Sequence, residues 1–489
     1  MIYDVIIIGA GVVGGAVARE LSRSKVSVLA LEMESDVCCG ISKSNTGIIH
    51  TPCLVKGPSL KAEFNLKGNL MMDQLCSELG VTLQRPGALI LAYSDEDREI
   101  LQAYREQGEK TRKAFDAPGQ IYKIIEKVEL QTIEPNLNKE VVCALFAPDA
   151  GRIIPYELGT ALWENAVSNG VALRLKHKVD SVIKPENDDS PWTVKSGKQT
   201  FQSRYVINAA GHGSEEIGQK AGFSHSVIEK VKGQYMIYKR KRDFDVNHIL
   251  FQVPPKGKGK AGKGILVCKT VYGNLMIGPD ARWVGDGNDT GTDRESLEEV
   301  LEGARKSIPE LSPKGIIKTF AGIRPKPAAG DFIIESDQRF IHLCGIESPG
   351  LTSSPALARE VIGLLNHLGL EFEPDENFKS RRDPIVKEIL NLDKDELKRR
   401  IDLPEDDKDR IVCRCEQVPR SRIIDAMNRG IRVDSLDAVK RRTRAGQGQC
   451  QGNFCGKRVR KLLSRELDIP EEEITQRGGQ PLGDRINKL

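Results

Sequence analysis

The chain is poor in several things, and each shortage excludes a class of protein. Aromatic residues are only 5% of its 489 residues, and no apolar run approaches the roughly 18 to 20 residues of a membrane-spanning helix. Charge of one sign is not in excess. The 73 Lys and Arg face 69 Asp and Glu, a net +4 with the signs interspersed, which gives nucleic acid no basic stripe to follow. No basic segment leads the apolar N-terminus, and Asp4 precedes its run. MIYDVIIIGAGVVGGAVARELS therefore reads as strand, turn and helix rather than as a secretion signal. Disulfide spacing is missing too: Cys38, Cys39, Cys53, Cys76, Cys143, Cys268 and Cys344 are scattered and no C-x-x-C occurs, as expected of reduced packing residues in a cytoplasmic protein. The segment PPKGKGKAGKG (254–264) lacks the Ser/Thr and glycine spacing of a Walker phosphate loop and reads as a solvated hairpin. Internal repeats and low-complexity tracts are absent.

The length suffices for two to four domains that need no cross-links to fold. Residues 3–8 form a short apolar strand that runs into Gly9-Ala10-Gly11-Val12-Val13-Gly14; a helix follows, then a second strand over 25–32. In a G-x-G-x-x-G turn the first glycine bends the chain and the second admits a pyrophosphate to the backbone. The third lets the helix pack on the strand, and the phosphates meet the helix N-terminus. Glu32, ending the second strand, is placed for ribose hydroxyls. The glycines alone also fit a helix-packing turn in any α/β protein; the strand, helix and acid around them point to a dinucleotide, flavin or nicotinamide. Further on, 61–79 and 95–115 read as helices, and 141–147 and 171–183 as strands. Residues 205–211 bring the chain back to the first sheet, and short β-like segments over 233–334 suggest a mostly antiparallel sheet roofing a ligand site. A strand over 340–344 precedes a helix starting near Ser354, and the charged stretch 371–410, with Pro374, Pro384 and Pro404, reads as a partly helical connector.

Beyond it stand four clustered cysteines, Cys413-Arg-Cys415 and, 34 residues later, Cys450-x4-Cys455. Four thiolates on two loops can hold a [2Fe–2S] cluster, one loop pair to each iron. The alternative is a structural four-cysteine zinc site, which favours knuckles of two to four intervening residues. The tight C-x-C pair counts against zinc. A module of about 60 residues buries little core, so a metal centre would help complete its fold.

Several later segments share one order: Ser44-Asn45-Thr46-Gly47-Ile48-Ile49-His50, Asn208-Ala209-Ala210-Gly211, Gly278-Pro279, Gly322-Ile323-Arg324-Pro325 with Asp331, and GIESPGLT (345–352). Through them residues 1–370 resemble the D-amino-acid-oxidase-like superfamily of FAD enzymes. The C-terminal VKRRTRAGQGQCQGNFCGKRVRKLL is similar to the domain related to bacterioferritin-associated ferredoxin. Both halves together resemble the large-subunit family of anaerobic glycerol-3-phosphate dehydrogenases. The resemblance implies an α/β and α+β architecture in which a Rossmann-like FAD-binding domain (about 1–85, 145–230 and 335–370) interleaves with an antiparallel-sheet substrate domain (about 86–144 and 231–334). A charged linker (371–408), a [2Fe–2S]-binding domain (409–468) and a tail (469–489) would follow. It further implies oxidation of a small anionic substrate, glycerol 3-phosphate, with electrons passing from FAD through the cluster to a partner subunit. That partner would be an NAD-linked flavoprotein or a quinone-reducing anchor that brings a cytoplasmic enzyme to the membrane.

The same resemblance assigns roles residue by residue. Gly9, Gly11, Gly14, Glu32, Ser44, Asn45, Thr46, Gly47, Ala210, Gly211, Gly345, Gly350, Leu351 and Thr352 would hold FAD, and Cys413, Cys415, Cys450 and Cys455 the cluster. Arg324 would fork onto the substrate's anion; its plainer reading is a strand-end ion pair. His50 would take the hydroxyl proton, or is a packed core histidine, or bonds the flavin covalently. Lys232 and Tyr235, in KGQY, would face the substrate. That motif also looks like L-2-hydroxyglutarate dehydrogenases of the same superfamily, which leaves the substrate open between glycerol 3-phosphate and a 2-hydroxy or amino acid, and Tyr235 equally suits a half-buried strand aromatic. The cysteine module remains open to a second role, as a metal-binding assembly element.

Overall fold

The structure, a computed structural model, describes residues 1–117, 122–187, 189–223, 227–254, 264–385 and 390–478. Most of the hairpin expected at 254–264 and the end of the expected tail lie outside the described residues.

The first sheet grows from the N-terminal strand Ile2–Ile8. Val5 to Ile8 are buried on both faces, which is why they read as an unbroken apolar run rather than an alternating one. The strand lies between Gln199–Asn208 and Val28–Leu31, both parallel to it, with Ile8 opposite Asn208 and Leu31. Phe340–Cys344 and Ala172–Arg174 extend the parallel array outward, and Ile333–Asp337, Trp192–Ser196 and Ser181–Ile183 add antiparallel strands. The helices Val12–Leu21, Leu60–Leu79, Pro155–Ser168 and Gly350–His367 cover one face, around Trp163, Leu162, Met72 and Val361. That register brings the turn after Ile8, the end of Val28–Leu31 and the turn after Asn208 to one edge of the sheet. Ligands of open parallel sheets bind at such an edge.

Among the described residues the second sheet has nine strands, antiparallel except where Ile249–Gln252 runs parallel to Ala88–Ala92. Its two long members, Ile228–Tyr238 and Ile316–Pro327, pair from Ile228 opposite Pro327 to Tyr238 opposite Ile316. Strands of the two sheets alternate along the chain, so the chain crosses between them repeatedly.

Two elements differ from the sequence reading. A helix, Arg294–Arg305, interrupts the stretch expected to be β, started by the Asp293 carboxylate, which accepts from Ser296 N at 2.8 Å. The helix expected near Ser354 begins at Gly350. Pro355 lacks the N–H that would reach the Leu351 carbonyl, and the Ser354 hydroxyl donates to that carbonyl instead, at 3.0 Å.

The C-terminal module consists of a hairpin (Ile411–Cys413, Val418–Pro419) and the helices Arg420–Met427, Leu436–Thr443 and Gly456–Leu467 around Val418, Ile423, Val439, Val459 and Leu463. The connector before it contains the short helix Lys394–Ile401. Among the described residues no helix is long and apolar enough to cross a membrane.

Candidate active site and cluster site

At the carboxyl edge of the first sheet, Gly9 adopts φ +102°, and a Cβ there would lie 2.6 Å from the Ala209 carbonyl oxygen. A Cβ on Gly14 would lie 2.2 Å from the Gly9 carbonyl oxygen, so only glycine lets helix and strand approach this closely. Gly11, between them, lines a cavity whose wall is largely apolar. Glu32 is buried, with its oxygens accepting from Ala10 N at 2.6 Å and Glu34 N at 2.9 Å. Burial raises its pKa.

The cavity runs between the two sheets. Asn45, Thr46 and His50 line it from the loop after the second strand, Gly211 from the turn after Asn208, and Gly350 and Leu351 from a helix start. Tyr235 and Arg324 face it from the second sheet. Gly9, Gly14, Glu32, Ser44, Gly47, Ala210, Gly345 and Thr352 shape these turns from behind rather than forming the wall. Ser44 meets the second sheet, since a Cβ on Gly322 would lie 2.2 Å from its carbonyl oxygen. Asn45 closes its own turn by accepting from Gly47 N at 2.9 Å.

Three elements fix His50. Its N–H donates to Thr352 Oγ1 at 2.9 Å, its carbonyl accepts from Asn69 Nδ2 at 2.9 Å, and its Nε2 lies 3.2 Å from Ser348 Oγ. Opposite, Arg324 pairs across the ladder with Val231, and the bare Gly233 leaves room for its guanidinium: a Cβ there would be 3.0 Å from Arg324 Nη2. Nη2 donates to the Asp280 carbonyl at 3.2 Å, and the guanidinium also meets the Tyr235 hydroxyl. The Tyr235 ring stacks on Phe320, with centroids 4.6 Å apart. Burial raises the Tyr235 pKa, opposed by Arg324.

Lys232 is not brought to the cavity. Side chains alternate along a strand, so Tyr235 and Lys232, three positions apart, point to opposite faces. Lys232 Nζ instead pairs with Asp289 at 2.9 Å. Nothing in the sequence pattern singles out Ser42, whose hydroxyl accepts from Val12 N at 3.0 Å at the helix start where phosphate oxygens would sit. Phe251 also lines the cavity unannounced. Ser348 belongs to the GIESPGLT segment, whose pattern gives it no role of its own.

The four clustered cysteines fall into two close pairs that cross between the loops rather than staying within each. Cys415 and Cys450 sulfurs are 3.6 Å apart, and Cys413 is hydrogen-bonded to Cys455. That hydrogen bond holds the Cys413 thiol down at about 6 and pushes Cys455 up, because neighbouring thiols cannot all ionise without a cation. Among the described residues no three His, Cys, Asp or Glu converge tightly enough for one metal ion. Two separate pairs suit two irons better than one tetrahedral zinc.

The module is docked on the first domain through buried charge. Asp36, 1% exposed, accepts from Arg442 Nη1 and Nη2 at 2.7 Å each and from Arg441 Nη2 at 2.6 Å. Burial would raise the Asp36 pKa, but the two guanidinium groups outweigh it and hold it at about 2. Nearby, Arg444 lies 3.8 Å over the Tyr272 ring and pairs with Glu416 at 2.8 Å, while Gln447 Nε2 donates to the Tyr156 hydroxyl at 2.9 Å. One helix, Pro155–Ser168, touches both sites: Tyr156 at its start meets the cluster loop, and Trp163 Nε1 donates to the Gly11 carbonyl at 3.0 Å.

Comparison with known proteins agrees with this division. Residues 4–364 match the FAD dependent oxidoreductase family, and residues 411–465 the BFD-like [2Fe-2S] binding domain. A glycerol 3-phosphate dehydrogenase of Caloramator mitchellensis is 39% identical over 477 residues, 96% of each chain. A glycerol 3-phosphate oxidase of Mycoplasma genitalium is 30% identical over 371 residues, 74% of this chain and 94% of its own. The solved L-alpha-glycerophosphate oxidase of Mycoplasma pneumoniae, with FAD bound, superimposes with a TM-score of 0.72 at 28% identity, covering 78% of this chain and 98% of that one. The chain is an FAD-dependent oxidoreductase, a member of the family its first 364 residues match, and it carries a BFD-like [2Fe–2S]-binding domain after them.

Proposed function

We propose that the chain oxidises sn-glycerol 3-phosphate to dihydroxyacetone phosphate and hands the electrons to a protein partner. The observation that carries this reading is Arg324: among the described residues lining the cavity it is the sole Arg or Lys, on a wall that is otherwise largely apolar. A fixed guanidinium in such a wall suits a small substrate with one anionic end. Arg324 binds the phosphate, with the Tyr235 hydroxyl beside it to set its orientation. His50 Nε2 receives the proton of the substrate hydroxyl, and the N–H so formed donates a hydrogen bond to Ser348 Oγ, while Phe251 and Ile48 keep water from the reacting carbon. The Gly9–Gly14 turn, Ser42, Asn45, Thr46, Gly211 and the helix start at Gly350 would hold FAD, and Cys413, Cys415, Cys450 and Cys455 the cluster. When bound, FAD accepts the electron pair and the [2Fe–2S] cluster passes electrons on singly. Support for the substrate comes from the dehydrogenase of Caloramator mitchellensis, whose likeness runs through both the FAD and the cluster domains. Association with a membrane, where it occurs, would be through the partner.

Anaerobic titration tests the reading. Glycerol 3-phosphate should bleach the flavin absorption and then produce the electron paramagnetic resonance signal of a reduced [2Fe–2S] cluster. Bleaching by L-2-hydroxyglutarate and not by glycerol 3-phosphate would overturn the substrate. A flavin that reduces beside a cluster that stays oxidised would overturn the relay and favour an assembly role for the module.

A further inference from the structure

The loop that bears the cluster cysteines has two unlike sides. Residues Arg444 and Gln447 are engaged with Tyr272 and Tyr156 of the FAD domain, so this side faces inward. The other side faces solvent. Phe454, next to Cys455, is 72% exposed and is the most exposed aromatic side chain among the described residues. Arg414, between Cys413 and Cys415, and Lys457, two residues past Cys455, are exposed as well. Most basic neighbours in the module are paired: Arg420 with Glu466, Arg429 with Asp425, Arg444 with Glu416, Lys461 with Glu405. Arg414 and Lys457 have no ion-pair partner among the described residues. Between 409 and 468 fifteen Lys and Arg stand against seven Asp and Glu; Arg441 and Arg442 are buried against Asp36 on the inward side, and Arg414 and Lys457 keep the outward side positive.

We propose that Arg414, Phe454 and Lys457 form the docking face for an electron-accepting protein whose own contact surface is acidic. The proposal rests on the relay described above and gives it an exit. An exposed aromatic anchor with charge beside it is the usual anatomy of a protein contact. Electron-transfer encounters bury little surface, below about 1,200 Å², so a face of this size suffices. Unpaired positive charge steers an acidic partner into the encounter and fixes its orientation. A small diffusible oxidant would need neither the anchor nor the charge. Each transfer oxidises the reduced cluster by one electron and reduces the acceptor by one; two transfers return the enzyme to its starting state for each substrate oxidised.

The test uses the full-length holoenzyme under anaerobic conditions. Oxidised plastocyanin, with an acidic contact face, and oxidised cytochrome c, with a basic one, serve as probe acceptors, and their reduction is followed by stopped flow. Plastocyanin reduction should slow by about tenfold or more as salt is raised, and by a similar factor in the Arg414→Glu/Lys457→Glu double variant, as steering by charge requires. Cytochrome c reduction should quicken in that variant. Arg414→Lys should keep the wild-type rate, and Phe454→Ala should still slow plastocyanin several-fold at high salt. Flavin bleaching and cluster reduction by substrate should not change in any of these variants. Plastocyanin rates indifferent to salt and to charge reversal would overturn the proposal. It is also overturned if those rates are indifferent while the face binds phosphatidylglycerol vesicles in a charge-dependent way, which would make it a membrane contact. Pre-reducing the enzyme with dithionite separates the two readings, since docking is then measured even if glycerol 3-phosphate fails as a substrate.

Discussion

Replacing Asp36 by Asn should loosen the cluster module from the FAD domain without emptying either site. The carboxylate accepts from two guanidinium groups that are themselves nearly or fully buried. Removing its charge leaves Arg441 and Arg442 facing an amide that also carries N–H donors. Breaking a buried ion pair from one side costs about 3–5 kcal/mol; Arg442 keeps Glu164 at 3.6 Å, which places the loss here at the low end of that range. An independent figure comes from titration. The drop in the Asp36 pKa from 3.8 to about 2 corresponds to about 2 kcal/mol at 1.36 kcal/mol per unit. The smaller value is reasonable, since a protonated carboxyl still accepts hydrogen bonds where a truncated side chain does not. Because the folded-state pKa lies below the unfolded one, this stabilisation is complete above about pH 4 and disappears as pH falls through about 2. A loss of about 3 kcal/mol raises the undocked population by roughly 150-fold. A chain with several domains has no single unfolding free energy, so the measurement is local: hydrogen exchange of the amides in the helix Leu436–Thr443, which carries both arginines. Exchange in Asp36→Asn that stays within about threefold of wild type at neutral pH would refute the argument, and would mean that the other contacts across the dock, among them Tyr156, Tyr272, Arg240–Glu416 and Lys176–Asp434, suffice to hold the module.

Four other outcomes follow from the geometry. Arg324→Ala should lower kcat/KM for glycerol 3-phosphate by about 10²–10³, the worth of one or two charge-assisted hydrogen bonds, and Arg324→Lys should recover only part of it; steady-state kinetics decide. His50→Gln should cut the rate of flavin reduction by about 10²–10⁴ in single-turnover experiments, with bound flavin retained. Lys232→Ala should leave kcat/KM within about threefold of wild type in steady-state kinetics, because the buried Lys232 ammonium pairs with Asp289 and not with the cavity. Cys450→Ser should remove the cluster's visible absorption and electron paramagnetic resonance signal while substrate still bleaches the flavin.

How much of this could be read from the sequence depends on the range of the interactions. The Gly9–Gly14 turn is legible because strand, turn and helix adjoin in sequence, and the requirement for glycine is a matter of local sterics. The four cysteines are legible because their spacing is their chemistry. Which thiol pairs with which is not, since the crossing of Cys413 with Cys455 and Cys415 with Cys450 depends on how two distant loops meet. The dock between Asp36 and Arg442 spans 406 positions, and nothing local to either residue announces it. Lys232 is a different case. Given a strand over 228–238, parity alone separates it from Tyr235, so the signal was present and the motif KGQY masked it. The helix Arg294–Arg305 also had its signal, an Asp cap ahead of RESLEEVLEGAR, within a stretch whose neighbours are β.

The alternation of the chain between its two sheets bears on how the protein is made. The strand Ile2–Ile8 can meet Val28–Leu31 early, but its other neighbour, Gln199–Asn208, is nearly 200 residues further along. Phe340–Cys344 comes later still. At about 5–20 residues per second of synthesis, one edge of that strand stays uncovered for roughly 10–40 s while the ribosome works. IYDVIII, whose Val5 to Ile8 are buried in the finished enzyme, is therefore also a prime client for a holding chaperone on the nascent chain, and slowing translation before residue 199 should lengthen its exposure and raise the yield of aggregate.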